Sequence, residues 1–212
     1  MSVGRYDVEP RAKGARMPRR ERRAQLLSSA LEVFVAHGYH SAAMDDIADR
    51  AGVSKPVLYQ HFPGKLELYM ALLDESSDAV TDAIREALAE TEDNKQRVAA
   101  AIAAFYDYVA NDSGAFRLVF ESDLTNEPAV RERVDRVTDD CATAIAEVIQ
   151  QDTGLPREAS LLLAVSLVGM AQVSARFWLS GAGADGTISQ ADAAALVAGL
   201  AWRGIRGYPK ES

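Results

Sequence analysis

The sequence predicts an all-α protein in which a three-helix head with a helix-turn-helix precedes a larger helical body, with about nine helices in total. Alanine is abundant in the 212 residues, whereas runs of β-branched and aromatic residues, which are typical of strands, are scarce. Apolar residues recur at intervals of three and four along most of the chain. Clusters of glycine, proline, asparagine and aspartate separate these periodic segments into helices of ordinary length.

The first third of the chain predicts an arm followed by the head. Residues 1–17 combine charges with glycine and proline and lack apolar periodicity, which indicates a flexible basic arm. Residues 18–64 are expected to form the head. Its first helix begins at Pro18 and ends at Gly38, since proline suits a first helical turn and glycine suits a helix end.

Two short helices complete the predicted head. The second spans about 42–51 with Ser41 as its N-cap, and the third spans 55–61 with Ser54 as its N-cap. Pro56 fits the first turn of the third helix, where the missing N–H is tolerated. The tight turn between the two helices gives the spacing of a helix-turn-helix, whose second helix enters a major groove.

The body is predicted over residues 65–212. A long helix over 65–90 follows the break at a Pro-Gly pair. The remaining predicted helices, each bounded by turn-forming residues, span 94–111, 115–122, 127–152, 157–180 and 189–206.

The next-to-last helix of the body contains a long uncharged run. Residues 159–175 are 17 residues without a charge, whereas a membrane span needs about 20 predominantly apolar residues. We therefore expect a helix buried on most of its faces and no membrane association. Together with residues 193–201, this run offers close-packing apolar surface for a homodimer interface of four helices.

Charge is distributed unevenly along the chain. The net charge is −8, but residues 1–65 hold 11 Lys and Arg against 7 Asp and Glu, whereas residues 66–212 hold 12 against 24. A basic head on an acidic body favours contact of one end with double-stranded DNA. A solvated basic tail is the alternative that charge alone leaves open.

The residues that catalysis or metal binding requires are few. Cys141 is the single cysteine and is interpreted as a buried small hydrophobe, and all three histidines lie within the head. Gly181, Gly183 and Gly186 match a dinucleotide-binding glycine pattern but follow a predicted helix instead of a strand. We therefore expect no enzyme, no metal and no cofactor, and the lack of an apolar leader at the N-terminus favours the cytoplasm.

Residues 38–65, GYHSAAMDDIADRAGVSKPVLYQHFPGK, carry the most specific signal. The inward positions of the two short helices are apolar and are expected to fix their angle: Met44, Ile47, Ala48, Val53, Leu58 and Phe62. The outward positions combine a cation, hydrogen-bonding groups and apolar surface, as groove recognition requires: Lys55, Pro56, Val57, Tyr59, Gln60 and His61.

The segment IADRAGVSKPVLYQHFPGKLEL resembles the head of the TetR family of transcription regulators. The resemblance implies a homodimer on an inverted-repeat operator, with Lys55, Tyr59, His61 and Lys65 at positions that contact phosphate or bases. Ala42 and Ala43 replace the threonine that the family often carries. The phosphate contact of that threonine is assigned to Ser41. The predicted DNA-binding set is therefore Ser41, Ser54, Lys55, Pro56, Val57, Tyr59, Gln60, His61 and Lys65.

A closer resemblance is to the actinobacterial regulators of fatty-acid synthesis within this family, which respond to long-chain acyl-coenzyme A. It rests on the head and on the body segments FRLVFESDLTNEP and SARFWL. Bulky side chains would form an acyl tunnel, with two arginines for the coenzyme phosphates: Phe105, Tyr106, Phe116, Leu118, Phe120, Phe177 and Trp178, with Arg117 and Arg176. The alternative for these side chains is an ordinary core. The alternative functions are an efflux or catabolic regulator that senses another hydrophobic molecule, and a helical adaptor that binds no DNA.

Overall fold

The computed structural model describes residues 17–111, 113–120, 124, 127–181 and 185–205. All but the last residue of the predicted arm, and the central glycine of the 181–186 pattern, lie outside these residues. The described residues form nine α-helices and no strand, which confirms the predicted fold class: α1 Arg19–Ser41, α2 Met44–Arg50, α3 Lys55–His61, α4 Lys65–Ala89, α5 Asn94–Asn111, α6 Ser113–Phe120, α7 Pro128–Thr153, α8 Arg157–Ser180 and α9 Gln190–Ile205.

Most helix bounds agree with the sequence prediction to within two residues, and the start of the helix-turn-helix is where they differ. Gly38 adopts φ 71° and ψ 164° and kinks α1, but a last helical turn continues to Ser41. Ser41 therefore ends α1, and the prediction that it caps α2 is wrong. The N-cap is Ala43, whose N–H donates to Asp46 Oδ2 at 3.2 Å.

The head is held together by apolar side chains from α1, α2 and α3. Leu26, Ile47 and Leu58 have no exposed surface, and Phe62 is 2% exposed. Met44 and Val53 pack half-buried against this core, so the predicted inward positions all face it.

The turn between α2 and α3 depends on Gly52. Its φ of 64° lies in the left-handed region that an L side chain rarely adopts. The N–H of Val53 then bonds back to the carbonyl of Ala48 at 3.0 Å. This turn fixes the angle at which α3 leaves α2.

Helix α4 connects the head to the body. It packs on α1 at one end and on α5 and α7 along its length, while α6 contacts both α1 and α4. The body core continues from the head core through fully buried side chains such as Val80, Phe116 and Val130. A displacement of α4 would therefore affect both the head and the body in the described part of the chain.

Helices α8 and α9 leave an apolar face uncovered. Its most exposed members are between 63% and 69% exposed: Leu162, Val173, Phe177, Leu196 and Leu200. In the single chain, 28% of the most apolar stretch of α8 is buried, so burial on most of its faces stays a prediction that requires the expected homodimer. By length and composition, α8 is also the helix among the described residues that could cross a membrane.

Candidate nucleic-acid interface and apolar cavity

Helix α3 presents its polar residues on one face because Leu58 anchors the opposite face in the head core. Lys55, Pro56, Tyr59 and Gln60 are exposed, with Tyr59 at 47%. Val57 and His61 lie half-buried on the same helix. The predicted outward residues are therefore brought together on a surface one helix wide, as a major-groove reader requires.

Ser54 occupies the predicted N-cap position of α3, but only through its backbone. Its carbonyl accepts the N–H groups of Val57 and Leu58 at 2.9 and 3.3 Å, whereas its side chain makes no capping hydrogen bond. The hydroxyl is exposed beside the first turn of α3. It is thus placed where a phosphate contact is possible.

A cleft of about 770 Å³ separates α3 from the beginning of α1. Arg19 and Arg22 line one wall, and Ser54, Gln60 and His61 are among the residues that line the other. The predicted DNA-binding set omitted these two arginines because they stand next to the predicted arm in the sequence. Their three-residue spacing on a helix was the signal that both side chains face the same way.

Burial and the arginines near this cleft keep His61 uncharged. Burial lowers the pKa of His61 below its ordinary value, and the nearby Arg19, Arg23 and Arg22 lower it further. The imidazole is therefore neutral at pH 7. The neutral imidazole has one N–H to donate. The positive charge of the cleft comes from the guanidinium groups of the arginines.

Lys55 is held by an acidic neighbour from α2. Its Nζ lies 2.5 Å from Asp45 Oδ2, and this hydrogen bond raises the pKa of Lys55. Both side chains are more than half exposed, so the pair adds little stability. Its effect is to orient the ammonium at the first residue of α3.

Lys65 lies at the other end of the helix-turn-helix and is bonded within the chain. Its ammonium donates to the carbonyl oxygens of Tyr39 at 2.7 Å, Ala42 at 2.9 Å and His40 at 3.3 Å. It also lies 4.5 Å from the centroid of the Tyr39 ring. The three protons of an ammonium are thereby used. The predicted phosphate contact of Lys65 would have to replace one of these bonds.

A narrow apolar cavity of about 60 Å³ lies within the body. Its walls come from α4, α5, α7 and α8, with one residue from α6, and are lined by Ile84, Leu88, Val98, Ala101, Ile102, Phe105, Phe120, Cys141, Ile145, Leu167, Val168, Ala171 and Gln172. Of the nine residues predicted to form the tunnel or meet the coenzyme phosphates, Phe105 and Phe120 line this cavity. Phe116 stands behind them, with its ring centroid 6.1 Å from Phe105 and 5.2 Å from Phe120.

The other predicted ligand residues lie elsewhere. Tyr106 is buried beside Trp178 and donates to Ser174 Oγ at 2.9 Å, while Trp178 donates to a backbone carbonyl. Phe177 is 69% exposed on the α8–α9 face. The predicted tunnel wall is therefore divided between the cavity, a neighbouring core and the outer surface.

The two predicted cations are exposed, and one is tied to the cavity wall. Arg176 donates to the carbonyl of Phe120 at 3.0 Å, and Arg117 lies on α6. Sequence reasoning missed the aliphatic lining of the cavity, and also Gln172, whose amide donates to Thr138 Oγ1 at 3.5 Å. The available signal was the helical spacing of Ile84 and Leu88 and of similar pairs on α5, α7 and α8.

Comparisons with known proteins agree on one family. Residues 26–72 match the model described as bacterial regulatory proteins of the tetR family. The HTH-type transcriptional activator FasR of Mycolicibacterium smegmatis is 47% identical over 197 residues, which cover 93% of this chain and 89% of FasR.

Solved structures share the fold. A TetR-like regulator from Rhodococcus sp. RHA1 superposes with a TM-score of 0.72 at 27% identity, covering 91% of this chain and all of that one. FadR of Bacillus subtilis, solved in complex with stearoyl-CoA, superposes with a TM-score of 0.69 at 18% identity, covering 84% of this chain and 96% of that one. The extent of the FasR match and the helix-turn-helix geometry together establish that the chain belongs to the TetR family of bacterial transcriptional regulators.

Proposed function

We propose that this TetR-type regulator binds an inverted-repeat operator as a homodimer and that a long-chain acyl-coenzyme A, bound in the body, changes its operator affinity. The observation that carries the proposal is the apolar cavity, because one of its walls is α4, the helix that continues to the head. The stearoyl-CoA complex of FadR, which has the same fold, supports this class of effector.

The homodimer would form through the uncovered apolar face of α8 and α9. Leu162, Phe177 and Leu200 lose contact with water in such an interface, and each fully buried side chain of this size contributes about 1.5 to 3 kcal/mol. A twofold axis there would relate two heads, which read half-sites about 34 to 36 Å apart. This assigns α8 to a protein interface in the cytoplasm, where the operator is, instead of to a membrane.

On DNA, α3 would supply the base contacts and its surroundings the phosphate contacts. Gln60 and Lys55 are exposed on the helix and carry side chains that can hydrogen-bond to base edges. Ser54, Tyr59 and the neutral His61 are donors suited to phosphate oxygens, with Arg19 and Arg22 across the cleft.

The cavity must enlarge to accept an acyl chain. A volume of about 60 Å³ holds roughly two water-sized groups, whereas a long chain needs several times more. Each methylene that enters contributes about 0.8 kcal/mol, so affinity should rise steeply with chain length. The coenzyme phosphates face an acidic body, and Arg176, bonded to the cavity wall at Phe120, is the cation placed to meet them.

The test is a titration of operator-bound protein with acyl-coenzymes A of increasing chain length. We expect the change in operator affinity to grow with chain length, and Ala171→Trp to abolish it by filling the cavity. Ala89→Trp, at an exposed position at the end of α4, is the matched control. Equal effects of short and long chains would refute an acyl tunnel.

The small volume of the cavity favours a second candidate. A compact apolar molecule fits about 60 Å³ with less movement of the helices than an acyl chain, as in a regulator of an efflux or catabolic operon. Gln172 would supply the one amide of the cavity wall. Binding of small apolar probes that is blocked by Ala171→Trp, without any response to acyl-coenzymes, would select this candidate.

A further inference from the structure

Helix α2 carries three acidic residues and packs directly against α3. Asp45 and Asp46 lie in the first turn of α2, and Asp49 lies one turn after Asp45 on the same face. All three are exposed. A carboxylate repels the phosphates of DNA, so acids beside a DNA-reading helix weaken binding to every duplex unless a cation offsets their charge.

Asp46 has a structural task that Asp45 does not share. The Oδ2 atom of Asp46 accepts the N–H of Ala43 at 3.2 Å and so caps the beginning of α2. Asp45 is turned instead toward α3, where its Oδ2 lies 2.5 Å from Nζ of Lys55. Both members of this ion pair are more than half exposed, and pairs of such exposure add little stability. The stability of the head therefore does not explain the position of Asp45.

The cations of the head differ in the partner that each one has. Arg22 in the cleft donates to the neutral Oε1 of Gln25 at 2.7 Å, and this partner leaves its positive charge uncompensated. Lys55 by contrast is paired with the carboxylate of Asp45, and Asp49 adds a second negative charge nearby. Attraction of phosphate is thus available at the cleft, whereas the cation that begins α3 is neutralised by its neighbour.

We propose that Asp45 is a specificity-determining residue, because it makes Lys55 a poor partner for phosphate and leaves it able to read a base. An ammonium has three protons, and the bond to Asp45 uses one of them. The other two can donate to O6 and N7 of a guanine, which carry only partial negative charge. A phosphate at the same place would bring a full charge against the carboxylate. The inference rests on the proposed function in that Lys55 contacts base edges.

This arrangement affects random and operator DNA differently. Random duplexes are bound mainly through their phosphates, so the pairing of Lys55 removes one phosphate contact from each protomer. The operator offers a base to the same ammonium and keeps its contact. The ratio of operator affinity to random affinity therefore increases without an additional contact to the DNA.

The first experiment measures Asp45→Asn on two duplexes at several salt concentrations: a random duplex, and a duplex selected from a randomised pool with the unmodified protein. Asparagine keeps the size of the side chain and removes its charge, so Lys55 is released to contact phosphate. We expect the affinity for the random duplex to increase and its salt slope to steepen by about one for each protomer. The preference for the selected duplex should fall at least about fivefold for each protomer.

The two duplexes keep this inference and the proposed function apart. Unchanged or lower affinity of Asp45→Asn for the random duplex would overturn the inference. A pool from which the unmodified protein selects no duplex would refute the proposed function, whereas the random duplex would still decide whether Asp45 withholds Lys55 from phosphate.

Asp49→Asn is the matched control, because it removes the same charge from the same face of α2. Asp49 raises the pKa of Lys55 through its charge alone, whereas Asp45 is also hydrogen-bonded to the ammonium. We expect Asp49→Asn to keep the salt slope and the preference of the unmodified protein. Equal effects of the two variants would mean that the net charge of the head sets the preference, and would overturn the role of the bond.

Two further variants distinguish a role in recognition from a role in folding. Asp45→Glu keeps the carboxylate and should restore the random-DNA affinity and the salt slope of the unmodified protein. In a chain that carries Lys55→Ala, Asp45→Asn should no longer steepen the salt slope, because the cation that it releases is gone. A slope that steepens equally with and without Lys55 would overturn the proposal.

Discussion

The head and the body use side chains in opposite ways. In the head, the residues placed to contact DNA are exposed on a short helix, and Leu58 alone anchors that helix in the core. In the body, the cavity is lined by buried residues such as Phe105 and Ile102, which are also part of the hydrophobic core. The residues proposed for recognition are thus separate from the stabilising core in the head, whereas in the body the two roles fall on the same side chains.

Phe105→Ala and Tyr59→Ala test this contrast most directly. Phe105 is 5% exposed, so its truncation should lower the free energy of unfolding by about 3 to 5 kcal/mol, measured by urea denaturation. Tyr59 is 47% exposed, so Tyr59→Ala should change stability by less than about 0.5 kcal/mol while weakening operator binding by about 1 kcal/mol. Similar stability losses in both variants would remove the distinction.

The α8–α9 face is a third case, in which apolar residues are exposed in the single chain. Leu200→Glu should weaken the dimer by at least about 3 kcal/mol, because two leucines per dimer each lose roughly 1.5 kcal/mol or more. The dissociation constant measured by sedimentation equilibrium then rises more than about a hundredfold. Val35→Glu, at an exposed position on α1, should leave it unchanged. An unaffected dimer in Leu200→Glu would place the interface elsewhere.

Within the head, Gln60 and Arg19 should separate base contacts from phosphate contacts. Gln60→Ala is expected to reduce the preference for operator over random DNA by about 1 to 3 kcal/mol, because we propose that its amide bonds to base edges. Arg19→Ala should weaken binding to both duplexes and lower the salt slope by about one for each protomer of the dimer. Fluorescence anisotropy at several salt concentrations measures both quantities. Equal losses on both duplexes for Gln60→Ala would reassign it to the DNA backbone.

The contrast between the two parts also explains what the sequence could predict. The bounds of α3 follow from Gly52 and Pro56, which act within a few residues of the chain. The outward face of α3 follows from the position of Leu58. Local rules therefore sufficed for the fold class and for most of the candidate DNA-binding face.

The features that sequence reasoning did not reveal depend on contacts between distant segments. Lys65 carries a charge that suits phosphate, yet its ammonium bonds to carbonyls more than twenty residues earlier in the chain. Phe177 has the size of a cavity residue, but it lies on the outer side of α8. The cavity combines α4, α5, α7 and α8, and apolar periodicity within one helix does not specify which helix it faces.

The smallest expected effect is the pH dependence of stability that comes from His61. The pKa of this residue lies below that of an ordinary histidine. Burial and the surrounding arginines lower its pKa in the folded protein, so the unfolded chain binds the proton more readily. The contribution of His61 to stability is therefore fully present above pH 6.5 and is lost as pH falls from there through the lowered pKa. Urea denaturation between pH 5 and 8 measures this loss, which His61→Gln should remove.

Operator affinity should depend on pH in the opposite direction to stability. A phosphate beside His61 favours the protonated imidazole and offsets the field of Arg19 and Arg22, so the pKa of His61 is higher in the complex than in the free protein. Operator affinity is then expected to increase as pH falls below 7, by no more than about tenfold per pH unit for each His61 of the dimer that takes up a proton. His61→Gln should abolish this increase, whereas His37→Gln, at an exposed position on α1, should keep it. Equal pH dependence in both variants would mean that no phosphate lies beside His61.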